Sequence, residues 1–268
     1  MSNARSHAIC GTVRRRMCSW TDVTAAILDI VRAAGAVAPP PRGVPFLSLD
    51  HPTGTPLALV EDLATRGIFR KYEHVLDLGG GLGAATRYMT TRLGCTATAT
   101  ARTCDEAAAG RVLTERARLE WQVHHAVADP VKLPFATAAF THVWVLETLP
   151  TLGASTRVLV EAHRVLRPGG HLAVQEIALR TDDPTLACRG FVDAGVRQRE
   201  LVAAGFVEIA RRDVDVGRQT TTSRHDAGWT RLAARLGASH PFVQARQLVA
   251  EALASGRAGI TQLTARRP

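Results

Sequence analysis

Two hydrophobic periods take turns along this chain. Short apolar or alternating runs recur at His74 to Leu78, Thr96 to Ala101, Trp121 to Val127, His142 to Leu146, His171 to Ile177, Phe206 to Val214 and Ile260 to Ala265, and each reads as a strand. Between them, Ala84 to Leu93, Asp105 to Glu115, Ser155 to Val165 and Asp193 to Ala203 carry apolar positions at helical spacing. Strands alternating with helices predict parallel pairing and helices on both faces, that is, a doubly wound seven-stranded α/β sheet. The last two strands are separated by Thr220 to Ser255, which is patterned as helix over Trp229 to Leu236 and Phe242 to Leu253. This helical insertion is either a lid or a packing element. Upstream, Asp22 to Ala34 places Val23, Ile27, Ile30 and Val31 on one helical face, and Leu57 to Thr65 reads as a second helix after the loop Asp50 to Pro56. Residues before about 20 carry no such pattern. The expected organisation is an N-terminal extension and cap over residues 1–56 and one domain over 57–268, with 220–255 inserted in it.

Composition narrows the class. A chain of 268 residues with 46% hydrophobic content can build one large α/β domain without staples. Cys10, Cys18, Cys95, Cys104 and Cys188 are odd in number and lack a Cys-x-x-Cys pair, which points to neither a disulfide framework nor a zinc site and fits a reducing cytoplasm. His124 and His125 make no metal set with a neighbouring Cys or acid, so no metal is expected. The formal charge of +9 raises the question of nucleic acid. Lys71 and Lys132 are the only lysines, however, and the arginines are spread over almost every segment rather than gathered in a groove. We read the charge as compositional bias and expect no nucleic-acid partner. The most apolar N-terminal stretch, Ala25 to Val37, is interrupted by Asp29 and Arg32, so neither a membrane span nor a signal peptide is expected.

The chemistry is concentrated at Val75-Leu76-Asp77-Leu78-Gly79-Gly80-Gly81-Leu82-Gly83. An apolar run that carries an acid near its end and then breaks into glycines reads as a buried strand turning into a helix around a nucleotide-type cofactor. Taken alone this leaves alternatives open, because Gly79, Gly81 and Ala84 also satisfy the dinucleotide spacing. The segments that follow are Asp129 after the third strand, Leu133-Pro134-Phe135 with Ala139-Phe140, Trp144-Val145-Leu146-Glu147, and Glu161-Ala162-His163-Arg164-Val165-Leu166-Arg167-Pro168-Gly169-Gly170. In that order, over about residues 57–214, the chain resembles the class I, Rossmann-like S-adenosylmethionine-dependent methyltransferases, particularly their small-molecule members.

The resemblance implies a mostly parallel sheet whose last strand is antiparallel, and S-adenosylmethionine bound at the carboxyl ends of the first strands. It implies that Gly79, Gly80, Gly81 and Gly83 let the backbone approach the ligand, that Asp77 orients the loop or the ammonium group, and that Asp129, with Pro130 beside it, accepts from the adenine amino group. Leu133 and Phe135 would lie near the adenine or in the core. His51 and Thr53, in a His-Pro-x-Gly segment, are implied contacts that close the pocket. One position departs from the family. The acid that binds the ribose hydroxyls at the end of the second strand is replaced by Ala101, followed by Arg102. Losing a charge-assisted hydrogen bond there weakens binding by about 1.5–3 kcal/mol unless Thr100, Thr103 or Asp105 substitutes.

Methyl transfer is an in-line displacement governed by alignment, with a base needed only where the acceptor must lose a proton. Glu147, just past the fourth strand, is the candidate for that role, its alternative being a helix-capping carboxylate. Gln175 and Glu176 end the fifth strand, and alternation turns only one of them to the same side. His225 and Trp229 shape an acceptor pocket or simply pack. The expected function is methyl transfer to a small metabolite. The alternatives are a non-catalytic or repurposed homologue that uses the cofactor structurally, catalyses a rearrangement or serves as a scaffold, and, ranked lower, an NADPH-dependent reductase in which Arg102 meets a 2′-phosphate. No Tyr-x-x-x-Lys pair supports the reductase, since Leu76 follows Tyr72 and Arg92 follows Tyr88 at that distance.

Overall fold

The structure is a computed structural model and describes residues 20–35, 57–66, 73–214 and 226–268. In chain order the elements are α1 (Trp20–Gly35), α2 (Leu57–Arg66), β1 (His74–Asp77), α3 (Ala84–Leu93), β2 (Thr96–Ala101), α4 (Cys104–Arg116), β3 (Val123–Val127), β4 (Phe140–Leu146), α5 (Leu149–Leu152), α6 (Ser155–Val165), β5 (Leu166–Leu179), α7 (Pro184–Ala187), α8 (Ala194–Ala203), β6 (Val207–Val214), α9 (Asp226–Leu236), α10 (Pro241–Ala254) and β7 (Ala258–Arg266). The strands form one seven-stranded sheet in the order β3-β2-β1-β4-β5-β7-β6. Strands β1 to β5 pair in parallel, and β7 runs antiparallel to both β5 and β6, as the family resemblance implies.

Alternation along the central strands explains the two layers of helix. Leu76, Leu78, Val143, Val145, Leu172 and Val174 point to one face and are buried with Val158, Leu159 and Ala162 of α6 and Leu201 of α8. Their neighbours Val75, Ala97, Trp144, Leu146 and Ala173 point to the other face, against Val60 and Leu63 of α2 and Ala85 and Met89 of α3. Each such aliphatic side chain stabilises the fold by about 1.5–3 kcal/mol, so two filled faces suffice to hold a sheet of this width. A third cluster joins Val23 and Ile27 of α1 to Leu82 of the glycine loop, Leu113 of α4, Leu232 of α9 and Phe242 of α10. Both the helical extension and the inserted helices are therefore anchored beside the loop that follows β1.

Several boundaries differ from expectation for physical reasons. β5 starts at Leu166 instead of His171, because Leu166 pairs with Phe140 before the register jumps to His142 with His171. Gly170 sits in that irregularity, where a Cβ would lie 2.8 Å from the carbonyl oxygens of both Arg167 and Thr141. β3 starts at Val123, leaving Trp121 in a turn with 85% of its surface exposed. The short helices α5 and α7 were not foreseen; each carries a proline in its first turn, which suits a missing N–H but gives little periodicity to read.

Candidate active site at the carboxyl edge of the sheet

The chain leaves β1 and β4 in opposite directions across the sheet, and the loops after β1, β2, β3 and β4 gather at the resulting crevice, where open α/β sheets receive ligands. The loop after β1 is fixed from below. Gly79 N donates to Thr100 Oγ1 at 2.8 Å, Gly81 N donates to the Thr100 carbonyl at 3.0 Å and Gly83 N donates to the Gly80 carbonyl at 2.8 Å. Gly79, Gly81 and Gly83 have φ of 79°, 56° and 80°, a region that a side chain enters only with strain.

Asp77 lies beneath this loop with 1% of its surface exposed. Its Oδ2 accepts from Thr86 Oγ1 at 2.5 Å, while its Oδ1 has no hydrogen-bond partner among the described residues. Burial pushes this carboxyl up to about 6, against the smaller opposing effect of the Thr86 hydroxyl. A Cβ on Gly80 would lie 2.5 Å from Asp77 Oδ2, so glycine is needed for the loop to close over the acid.

Gly83 has another neighbour. A Cβ there would come within 2.7 Å of the His125 ring, and one on Gly110 of α4 within 2.5 Å. The imidazole is thus slotted between loop and helix, with Nε2 2.8 Å from Thr114 Oγ1. Burial, with the nearby Arg87 charge, lowers its pKa to about 3, so it stays neutral. Arg87 is itself fully buried and donates through NH1 to the Leu82 carbonyl at 2.6 Å. Together they form a rigid floor under the glycine turn.

The second strand ends in Ala101, whose carbonyl accepts from Ala128 N at 3.1 Å, so the residues after β2 and after β3 are side by side. Arg102 is exposed. Asp129 is also exposed, and its Oδ1 accepts from Val131 N at 3.0 Å, which makes the turn that includes Pro130. Its Oδ2 accepts no hydrogen bond from the described residues. Leu133 and Phe135 belong to the core: Leu133 is buried, Phe135 meets Phe140 edge-on at 5.1 Å, and Arg164 donates to both of their carbonyls.

Glu147 leaves β4 in the left-handed region, with φ 58°. A non-glycine residue held there costs free energy that its surroundings must offset, and such strain gathers at functional sites. The neighbours that hold it are visible: Glu147 N donates to the Gln175 carbonyl at 2.6 Å, Gln175 Nε2 donates to Glu147 Oε1 at 2.8 Å, and Gln262 Nε2 donates to Gln175 Oε1 at 2.9 Å. Of the two residues near the end of β5, it is therefore Gln175 that turns toward Glu147. Glu176 faces the other side, where Arg197 Nε donates to its Oε2 at 3.0 Å. Glu147 does not cap α5; that position belongs to Thr148, which packs at 3.0 Å from where a Gly79 Cβ would be.

His51 and Thr53 lie outside the described residues, as does His225. Trp229 packs edge-on against Phe242 at 6.1 Å, with the Arg246 guanidinium 4.0 Å over its ring. No group of His, Cys, Asp and Glu among the described residues could hold a metal ion. Sequence reasoning missed Glu106, Thr148, His125 and Gln262. For Glu106 a signal existed: Thr103-x-x-Glu106 is a capping box.

Residues 76–174 match the family model described as a methyltransferase domain. Over that stretch, well under half of the chain, the sequence is similar to methyltransferase domains. It is 32% identical over 146 residues to Methyltransferase GfsG of Streptomyces halstedii, a match covering 51% of this chain and 52% of that protein. The chain thus spans about half the length of the curated relatives it matches. Among solved structures, the (4+2)-cyclase SpnF has a TM-score of 0.65 at 24% identity, over 79% of this chain and 81% of that one. Phosphoethanolamine N-methyltransferase 2 of Haemonchus contortus, solved with S-adenosyl-L-methionine, has a TM-score of 0.66 at 15% identity, over 80% of this chain and 53% of that one. Both structural likenesses are of fold. Within this methyltransferase fold no described helix is long and apolar enough to cross a membrane.

Proposed function

We propose that this protein is an S-adenosylmethionine-dependent methyltransferase acting on a small-molecule acceptor. The observation that carries the reading is the buried Asp77, whose Oδ1 lacks a partner directly beneath a turn of positive-φ glycines at the mouth of the sheet. A buried carboxylate oxygen without a donor is costly, and the ammonium end of an amino-acid-bearing ligand would satisfy it. The residues therefore fit the cofactor: Gly79 and Gly81 leave its methionine and ribose part room, Asp77 draws the ammonium group, and Asp129 Oδ2 accepts from the adenine amino group. Bound there, S-adenosylmethionine supplies a methyl group on a positively charged sulfur, open to in-line attack.

Glu147 is the residue we assign to the acceptor. Held by Gln175, its carboxylate can orient an acceptor hydroxyl or amine and take its proton. The α1, α9 and α10 helices, packed through Leu82 and Leu113, would wall the same crevice against water. We take residues 57–268 as the catalytic domain and 1–56 as its cap. Cytoplasmic placement belongs to the same reading and accords with the free thiols of buried Cys95 and exposed Cys104.

Titration calorimetry with S-adenosylmethionine, S-adenosylhomocysteine and NADPH tests this directly. Saturable binding of both adenosyl ligands without NADPH is expected. Binding of NADPH alone would replace this reading with the reductase.

A further inference from the structure

Ala101 leaves the end of β2 without an acid, and three nearby substitutes are accounted for. Thr100 Oγ1 is engaged by Gly79 N at 2.8 Å and faces the Asp77 carbonyl at 3.4 Å. Thr103 Oγ1 accepts from Glu106 N at 3.2 Å as the cap of α4. Asp105 is exposed. Glu106, in the first turn of the same helix, behaves differently: only 4% of its surface is exposed. Its Oε2 accepts from Arg102 N at 2.9 Å, which draws the carboxylate back over the end of β2. Its Oε1 lies 3.1 Å from where a Cβ on Gly81 would be, against the crown of the glycine turn. No described residue donates to Oε1, and no described Lys or Arg forms an ion pair with this carboxylate.

A nearly buried carboxylate with one oxygen left for a donor, placed between the glycine turn and β2, needs a partner that brings hydroxyl or amine hydrogens. We propose that Glu106 is the ribose-binding acid of this protein, supplied from the first turn of α4 in place of the missing side chain at Ala101. This rests on the cofactor reading above. The hydrogen bond from Arg102 N fixes the carboxylate before ligand arrives, so its Oε1 and the second lone pair of Oε2 meet the two ribose hydroxyls without a rotamer search. The same negative charge beside Arg102 would repel a 2′-phosphate, which sets this site against NADPH.

The experiment is calorimetry of the whole chain with S-adenosylhomocysteine and its 2′-deoxy and 3′-deoxy analogues, on the wild type, Glu106→Gln, and Glu106→Gln combined with Ala101→Asp. Gln keeps an acceptor for Arg102 N, so that contact survives while the charge is lost. The wild type is expected to bind S-adenosylhomocysteine about 10- to 100-fold tighter than the deoxy analogues. Glu106→Gln is expected to lose most of that preference by weakening only the parent ligand, and Ala101→Asp to restore it. A wild type that binds all three equally overturns the proposal without recourse to any variant. It also fails if Glu106→Gln keeps the wild-type preference, or weakens all three ligands alike, which is the mark of a merely structural residue. No binding of S-adenosylhomocysteine to the wild type would instead overturn the cofactor reading itself, and this proposal with it.

Discussion

Asp77 is expected to cost the unliganded protein stability for the sake of its ligand. Its carboxyl ordinarily titrates near 3.8, and burial lifts it to about 6. The folded state thus holds this proton more tightly than the unfolded chain does. The group costs nothing below pH ~4, costs more as the pH rises between the two values, and reaches its full cost above pH 6. At 1.36 kcal/mol for each tenfold step in proton affinity, that cost is about 3 kcal/mol. Asp77→Asn removes the charge and keeps an oxygen for the Thr86 hydroxyl, which donates at 2.5 Å in the wild type. The new amide N–H₂ inherits the partnerless side of Asp77 and gives back about 1 kcal/mol. The net gain is about 2 kcal/mol at pH 8, or ~4–8 °C in Tm for a protein of this size. The assay is denaturant unfolding of both proteins at pH 5, 6 and 8, followed by thermal shifts with saturating S-adenosylhomocysteine. The stability advantage of Asp77→Asn should grow with pH, and the ligand should stabilise the wild type more than the variant. A variant no more stable than the wild type at pH 8, or an advantage that does not change with pH, would refute the assignment of a strained charge to this site.

Three further outcomes follow from neighbouring contacts. Arg197→Met strands Glu176, whose carboxyl is already pushed up by burial, and should cost about 3–5 kcal/mol in urea unfolding at neutral pH. Because a raised carboxyl pKa penalises the folded state only above the unfolded value, this deficit should shrink as the pH is lowered toward 5. Gly110→Ala drives a methyl into the His125 ring and should destabilise by about 1–3 kcal/mol, whereas in a His125→Ala background the same change should be nearly neutral; equal costs in both backgrounds would exclude the slot. Glu147→Gln should lower kcat by about 10²–10⁴ for an acceptor that must lose a proton, with little change in cofactor affinity, and Gln175→Leu should lower it less by releasing the carboxylate that Gln175 holds at 2.8 Å. Undiminished turnover in Glu147→Gln would remove it as a base.

The sheet was legible because burial follows period: the central strands are buried on both faces, and their runs Val75 to Leu78 and Val143 to Leu146 are nearly continuous in apolar residues. The antiparallel β7 was not in the periodicity but came from the family resemblance, and the strand order is legible only in the structure. At the site, residue types could be read but not their directions. Alternation placed Gln175 and Glu176 on opposite sides of β5 without saying which faced the crevice. That is settled by what each side offers: Arg197 of α8 waits behind one face, and the backbone of Glu147 lies beside the other. The positive φ of Glu147 has no sequence signature at all, since the residue is held by Gln175, itself steadied by the Gln262 amide, from strands far along the chain.

Glu106 shows the same limit from the opposite direction. Its spacing from Thr103 marks a helix start, and a capping box satisfies that pattern with no reference to a ligand. Only the structure shows that the cap itself is made by Thr103 Oγ1, that Glu106 Oε2 reaches past it to Arg102 N, and that the other carboxylate oxygen rests against Gly81 with no described donor. A local rule and a binding role can thus share one side chain, because a carboxylate has more lone pairs than a helix terminus can use. If Glu106 is the ribose-binding acid, the alanine at position 101 is a contact moved to α4. An acid at Ala101 together with Glu106 would set two negative charges over the same ribose, and like charges that close raise each other's pKa and lose part of their accepting strength. On that proposal, an alanine at the end of β2 suits a site that draws its acid from α4.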